Sequence, residues 1–183
     1  MTGFEFAFTL FGLLLGLALT EGLSGLARAF KSRHLTAMGW PTALLGAFVA
    51  CDVVTFWMYG WSMRDRITLG WPLMFGGFIL TGTYYVCASL IFPDDKTEDF
   101  SAHFDRNRRL VIGGVLACNI ALVAFTLSLV AIPNASSLRT IILTWTFFPV
   151  AVVAVATRSR RLVVGCLIWL IGPYPLSAVW LQT

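Results

Sequence analysis

Charge is what this sequence has least of. Only 12% of its 183 residues are Asp, Glu, Lys or Arg, about half of the ~25% usual in a soluble domain, which excludes an ordinary water-soluble globule. Lysine is nearly absent. Both copies, Lys31 and Lys96, stand between apolar blocks, so no buried amine is available for a Schiff base. The two histidines, His34 and His103, are placed likewise and cannot supply paired axial imidazoles to a haem held within the blocks. No G-x-S-x-G, H-E-x-x-H or Walker loop occurs. An intramembrane aspartyl protease needs two aspartates, and the apolar blocks contain one. These gaps argue against an enzyme, and no cofactor or metal is expected. The cysteines, Cys51, Cys87, Cys118 and Cys166, fall one each in four blocks with no C-x-x-C, and are expected as small buried side chains. Nothing before Arg28 is basic, so the first block lacks the n-region of a signal peptide and is expected to be retained.

What the chain has in abundance is apolar surface: 58% of residues are hydrophobic and the mean hydropathy is +0.81. The apolar residues form six blocks, about 4–29, 38–61, 69–92, 110–132, 137–157 and 162–181. At ~1.5 Å per residue, each of about 20 residues or more suffices for ~30 Å of hydrocarbon. The predicted fold is all-α, a polytopic bundle of six transmembrane helices forming one domain over 1–183, with the lipid bilayer as its surroundings. Lys and Arg set the orientation. Arg28, Lys31, Arg33, Lys96, Arg106, Arg108, Arg109, Arg158, Arg160 and Arg161 fall in the first, third and fifth connections, against Arg64, Arg66 and Arg139 on the other side. Both termini are therefore expected to be extracytoplasmic. Trp40, Trp61, Trp71 and Trp180 stand at block ends, where an amphipathic ring suits the interface. A formal charge of +4 so distributed reports topology rather than a nucleic-acid partner.

The longest connection, 93–109, is predicted cytoplasmic. Phe100 and Phe104 are four residues apart, which suggests a short surface helix with an aromatic side against the membrane. Its acids come first and its bases last, matching the helix dipole. The same loop offers Asp94, Asp95, His103 and Arg106 as a surface for a protein partner, although it lacks the ligand pattern of a calcium loop.

Two carboxylates fall well inside the apolar blocks, away from their ends, Glu21 and Asp52. A charge in hydrocarbon costs at least ~2.5–3.5 kcal/mol on insertion scales, so intramembrane acids are functional candidates by default. By the 3.6-residue period Asp52 shares a face with Leu45, Phe48, Thr55, Phe56 and Tyr59, and Glu21 shares one with Ala18, Gly25 and Arg28. Tyr84, Tyr85 and Asn119 are expected at comparable depth, where they could donate to a carboxylate. These five residues form a candidate path for protons, ions or a small solute. The competing reading is that they make interhelical hydrogen bonds that only fix the bundle. Gly12 and Gly16 form a G-x-x-x-G pair that permits close helix approach. Pro149 interrupts the fifth block, and Pro173 and Pro175 remove two backbone donors from the sixth, so helix breaks are expected there. No pattern defends a three-plus-three repeat.

The run from Phe11 to Arg28, with Thr83-Tyr84-Tyr85 and Ile91-Phe92-Pro93-Asp94-Asp95, resembles a group of small multi-pass proteins of the bacterial inner membrane with no known activity. The resemblance implies that membrane and no mechanism. The sequence reading is thus a channel or transporter with in-membrane acids on its path, expected to assemble as a homo-oligomer. The alternative is a non-transporting scaffold or sensor acting through the cytoplasmic loop. A third, hydrophobic-ligand binding between helices, rests on the seven Trp and fifteen Phe.

Overall fold

The computed structural model describes residues 3–31, 39–68, 70–94, 99–129 and 141–180, with backbone alone at 143 and 178–180. Every regular element among them is helical. The elements are α1 (Gly3–Lys31), α2 (Trp40–Ser62), α3 (Trp71–Ser89), α4 (Phe100–Leu129), a π-helical turn (Ile141–Trp145), α5 (Phe147–Ala156), α6 (Arg160–Ile171) and α7 (Pro173–Trp180). Of these, α1, α2 and α4 are long and apolar enough to cross a membrane.

Local chemistry explains the boundaries. Gly39 and Gly70 cap α2 and α3 in extended conformation, and Pro41 and Pro72 follow in the first turn, where a missing N–H leaves no bond unmade. Within the helices, several hydroxyls are satisfied by the carbonyl one turn back, as in Thr20 to Gly16 at 2.8 Å, Thr55 to Cys51 at 2.9 Å and Thr83 to Ile79 at 2.8 Å. This lets those threonines sit in an apolar span without an orphaned polar atom, whereas the buried hydroxyl of Thr42, in the first turn of α2, has no partner among the described residues.

One expectation needs correction, and the expected proline breaks take definite form. The short surface helix foreseen in 93–109 is not separate. Asp99 caps a helix by accepting from the amides of Ser101 at 3.1 Å and Ala102 at 3.3 Å, and that helix is α4, which runs unbroken to Leu129 because no proline lies in it. The fifth block does not form one α-helix in its described part. Pro149 cannot donate to the Trp145 carbonyl, and the chain ahead of it is wound wider, the Thr146 amide donating to Ile141 at 3.0 Å, five residues back. The sixth block is kinked rather than unwound. Gly172 between α6 and α7 keeps right-handed helical dihedrals (φ −53°, ψ −42°) and still donates to Ile168 at 3.0 Å. The donors that Pro173 and Pro175 lack are lost from the ladder.

Helix α2 is the hub, packing against α1, α3, α4 and α6, while α1, α3, α4, α5 and α6 follow one another around it. Close approach comes from aromatic rings seated on glycines: Trp57 over Gly12, Phe92 over Gly25 and Phe11 over Gly77. Gly16, the second member of the G-x-x-x-G pair, faces open space. The outer surface is apolar, with Phe6, Leu13, Leu23, Phe78, Leu110 and Ile168 all more than half exposed. Such a belt suits lipid.

Candidate functional site

Asp52 occupies the middle of α2 and is 3% exposed. Three neighbours converge on it. Tyr84 of α3 donates its phenol to Oδ2 at 2.6 Å, Asn119 of α4 donates its amide to the same oxygen at 2.9 Å, and Tyr174 of α7 donates to Oδ1 at 2.8 Å. The Asn119 amide nitrogen also meets the Val115 carbonyl at 3.0 Å, and two acceptors on one nitrogen fix the orientation of the side chain. With Asp52 ionised, all three contacts are charge-assisted. Four helices are thereby tied at one carboxyl group.

A cavity of about 520 Å³ ends on this group. Its α2 wall consists of Asp52, Thr55, Phe56, Met58, Tyr59 and Ser62, all at or beyond the acid in the direction of Ser62. The other helices obey the same rule, α4 contributing Asn119 and later residues and α6 only Trp169 and Leu170. On the other side of Asp52 the core is tight: Leu45, Phe48 and Val49 of α2, Val111, Ile112 and Val115 of α4, and Val163 and Leu167 of α6 are all essentially inaccessible. The acid therefore marks the boundary between a closed apolar half and an open half.

Polar groups line the open half at helical spacing. Tyr59 donates to Thr126 at 3.0 Å, two turns beyond Asp52, and Thr126 in turn donates to the Leu122 carbonyl at 2.7 Å. Trp169 donates its indole N–H to Thr146 at 3.3 Å. Trp145, also in the wall, carries a buried indole N–H with no hydrogen-bond partner among the described residues. The π-helical turn thus supplies Trp145 to the cavity and sets Thr146 just after it, as widened turns do at many functional sites.

The residues expected to form one path divide into two groups. Asp52, Tyr84 and Asn119 come together. Glu21 does not join them: it is half-buried on α1 and paired with Arg28 at 3.2 Å, seven residues along the same helix. Tyr85 follows Tyr84 by one residue and so points elsewhere, 41% exposed in an outward groove with Leu17 and Phe78. Of the proline positions, Pro173 lines the cavity and Pro149 stands just past its π-helical edge. Pro175 is exposed in α7.

In the connecting elbow, Asp94 lies 3.8 Å from Arg28 and is almost wholly exposed. His103 turns inward instead, its Nε2 3.0 Å from the Leu90 carbonyl and 3.0 Å from Asn107, while Arg106 reaches its Nδ1 at 3.4 Å. Asp95 lies outside the described residues. Among the described residues no group of three His, Cys, Asp or Glu could hold a metal ion.

Sequence reasoning passed over Tyr174. Its signal was available: a phenol between two prolines at the end of an apolar block, where the kink aims it inward. Thr126 could also have been found, seven residues from Asn119 and hence on the same face of α4.

Fold, surface and spans define a helical protein suited to a membrane, with a buried acid at the end of a half-open cavity. No protein-family model, curated protein or solved structure matches the chain.

Proposed function

We propose that this chain is a six-pass integral membrane protein of the bacterial inner membrane, both termini extracytoplasmic, that carries protons or a small solute along a path whose innermost station is Asp52. The observation that carries the reading is the one-sided cavity ending on that carboxyl group. The excess of Lys and Arg in alternate connections supports a cytoplasmic Trp40 end of α2, and the cavity then faces outward. The fifth pass is then the π-helical turn with α5, and the sixth is α6 with α7.

A carrier fits better than an open channel. The packed half between Asp52 and the cytoplasmic end offers no passage, so transfer requires α2, α4 and α6 to exchange their packed and open halves. Alternating access of this kind commonly pivots on kinked helices at the bilayer midplane. Glu21, held by Arg28, leaves the path, and Tyr174 joins it. The scaffold reading loses part of its surface, since His103 is buried against the body of the protein.

The test is flux. In proteoliposomes containing a pH-sensitive dye, wild-type protein is expected to dissipate an imposed proton gradient, Asp52→Asn to slow this at least tenfold, and Glu21→Gln to leave it within twofold. Equal flux through wild type and Asp52→Asn would remove Asp52 from any proton path and overturn the proton reading.

A further inference from the structure

The partners of Asp52 are all neutral. Two phenols and one amide bind its oxygens, and no Lys, Arg or His forms an ion pair with it among the described residues. An ionised carboxylate has about two acceptor directions on each oxygen. Oδ2 is filled by Tyr84 and Asn119, whereas Oδ1 receives Tyr174 alone, which leaves one direction at a carboxyl group that itself lines the cavity. A buried charge without a countercharge is costly, so the carboxyl group takes up either a proton or a cation brought from outside, and a cation entering the cavity displaces the proton.

The walls say which cation. Phe56, Tyr59, Trp145, Phe147 and Trp169 put five aromatic side chains around the space that Asp52 closes. Aromatic faces attract cations, most strongly when the cation is poorly hydrated. A small metal ion finds one carboxylate here, where hard cations take six or more oxygens. The volume of about 520 Å³ lies within the ~300–1,000 Å³ of pockets that enclose drug-sized ligands. It is far larger than one water molecule or a proton relay needs.

We infer that the cavity binds a lipophilic organic monocation, a quaternary ammonium or phosphonium ion whose charge rests at Asp52 and whose apolar substituents lie among the rings. This assignment rests on the carrier reading and names the class of its substrate.

The full chain in lipid nanodiscs, with empty nanodiscs subtracted, can be titrated with tetraphenylphosphonium by equilibrium dialysis and by quenching of tryptophan fluorescence. Saturable binding is expected, with neutral triphenylphosphine oxide at least tenfold weaker. Asp52→Asn is expected to lose at least tenfold in phosphonium affinity, and Trp169→Ala about threefold to tenfold. Equal binding of the charged and neutral probes by wild-type protein overturns the inference and needs no variant to fold. Equal phosphonium affinity of wild type and a folded Asp52→Asn overturns it as well. Flux separates the two proposals: Asp52-dependent proton flux without phosphonium preference overturns the substrate class and leaves the carrier, whereas phosphonium preference with Asp52-independent flux of both protons and tetraphenylphosphonium into proteoliposomes overturns the carrier and leaves the binding site.

Discussion

At the scale of single residues, the arrangement at Asp52 separates two adjacent tyrosines by role. Tyr84 is fully buried and donates to the acid, while Tyr85 points outward. Tyr84→Phe is therefore expected to destabilise the protein by ~0.6–2 kcal/mol, the range for interhelical hydrogen bonds in membrane proteins, and Tyr85→Phe by less than ~0.5 kcal/mol, typical of substitutions away from specific contacts. Reversible unfolding of the two variants in mixed micelles measures the difference, and equal midpoints would show that the Tyr84 bond contributes nothing. Asp52 was legible in the sequence as a candidate because an intramembrane acid is rare and expensive. Glu21 carried the same signal but not the same meaning. Arg28, seven residues on and thus back on the same face, neutralises it, and periodicity alone does not tell an ion pair from a path.

At the scale of elements, glycines separate as the tyrosines do. The ring of Trp57 occupies the space where a Gly12 side chain would lie, whereas Gly16 has nothing within 4 Å. Gly12→Ala should thus cost about 1–3 kcal/mol through overpacking, and Gly16→Ala should be nearly neutral. Comparable melting temperatures for these variants would contradict the α1–α2 packing described above. A second element-scale expectation concerns the end of α5, where buried Arg108 donates to the Thr157 carbonyl at 3.3 Å and the Arg158 carbonyl at 3.5 Å. Its position at a helix C-terminus suits a cation. Arg108→Ala is expected to cost ~1–3 kcal/mol for the orphaned acceptors, and exposed Arg109→Ala almost nothing, as thermal unfolding of each can establish. The blocks that became α1, α2 and α3 could be read within a few residues because Pro and Gly punctuate their starts. The last two blocks could not. Whether a proline kinks, stops or widens a helix depends on which neighbours receive the freed carbonyls, and that is a property of the packed bundle.

At the scale of the whole molecule, the tight and open halves on either side of Asp52 make a prediction about access. In a protein whose own cysteines have been replaced, single cysteines at Tyr59 and Ser62 should react with a membrane-impermeant thiol reagent applied from outside. One at Leu45 should be protected from both sides. Labelling at position 45 in folded protein would mean that the apolar half is wetter than its packing implies. The sequence foretold the face of α2 that carries Leu45, Phe48, Asp52, Thr55 and Tyr59, but gave no sign that one end of that face would be filled and the other hollow. That asymmetry arises from what other helices contribute at each depth: Val111, Ile112 and Val163 on one side, the kink and the π-helical turn on the other.

In the orientation proposed above, the same asymmetry shapes how the protein meets a membrane voltage. With water in the open half, the potential drops mainly across the packed half. That half is the ~18 Å of α2 between Trp40 and Asp52, at ~1.5 Å per residue, rather than the full ~30 Å of hydrocarbon. The field there is about 1.7 times steeper. Asp52 stands at the outer edge of that steep region, so a charge arriving at the acid has done little electrical work. One moving on towards the cytoplasm gains nearly the whole ~2.3 kcal/mol per 100 mV. Voltage would then act on the step that leaves Asp52 far more than on the step that reaches it.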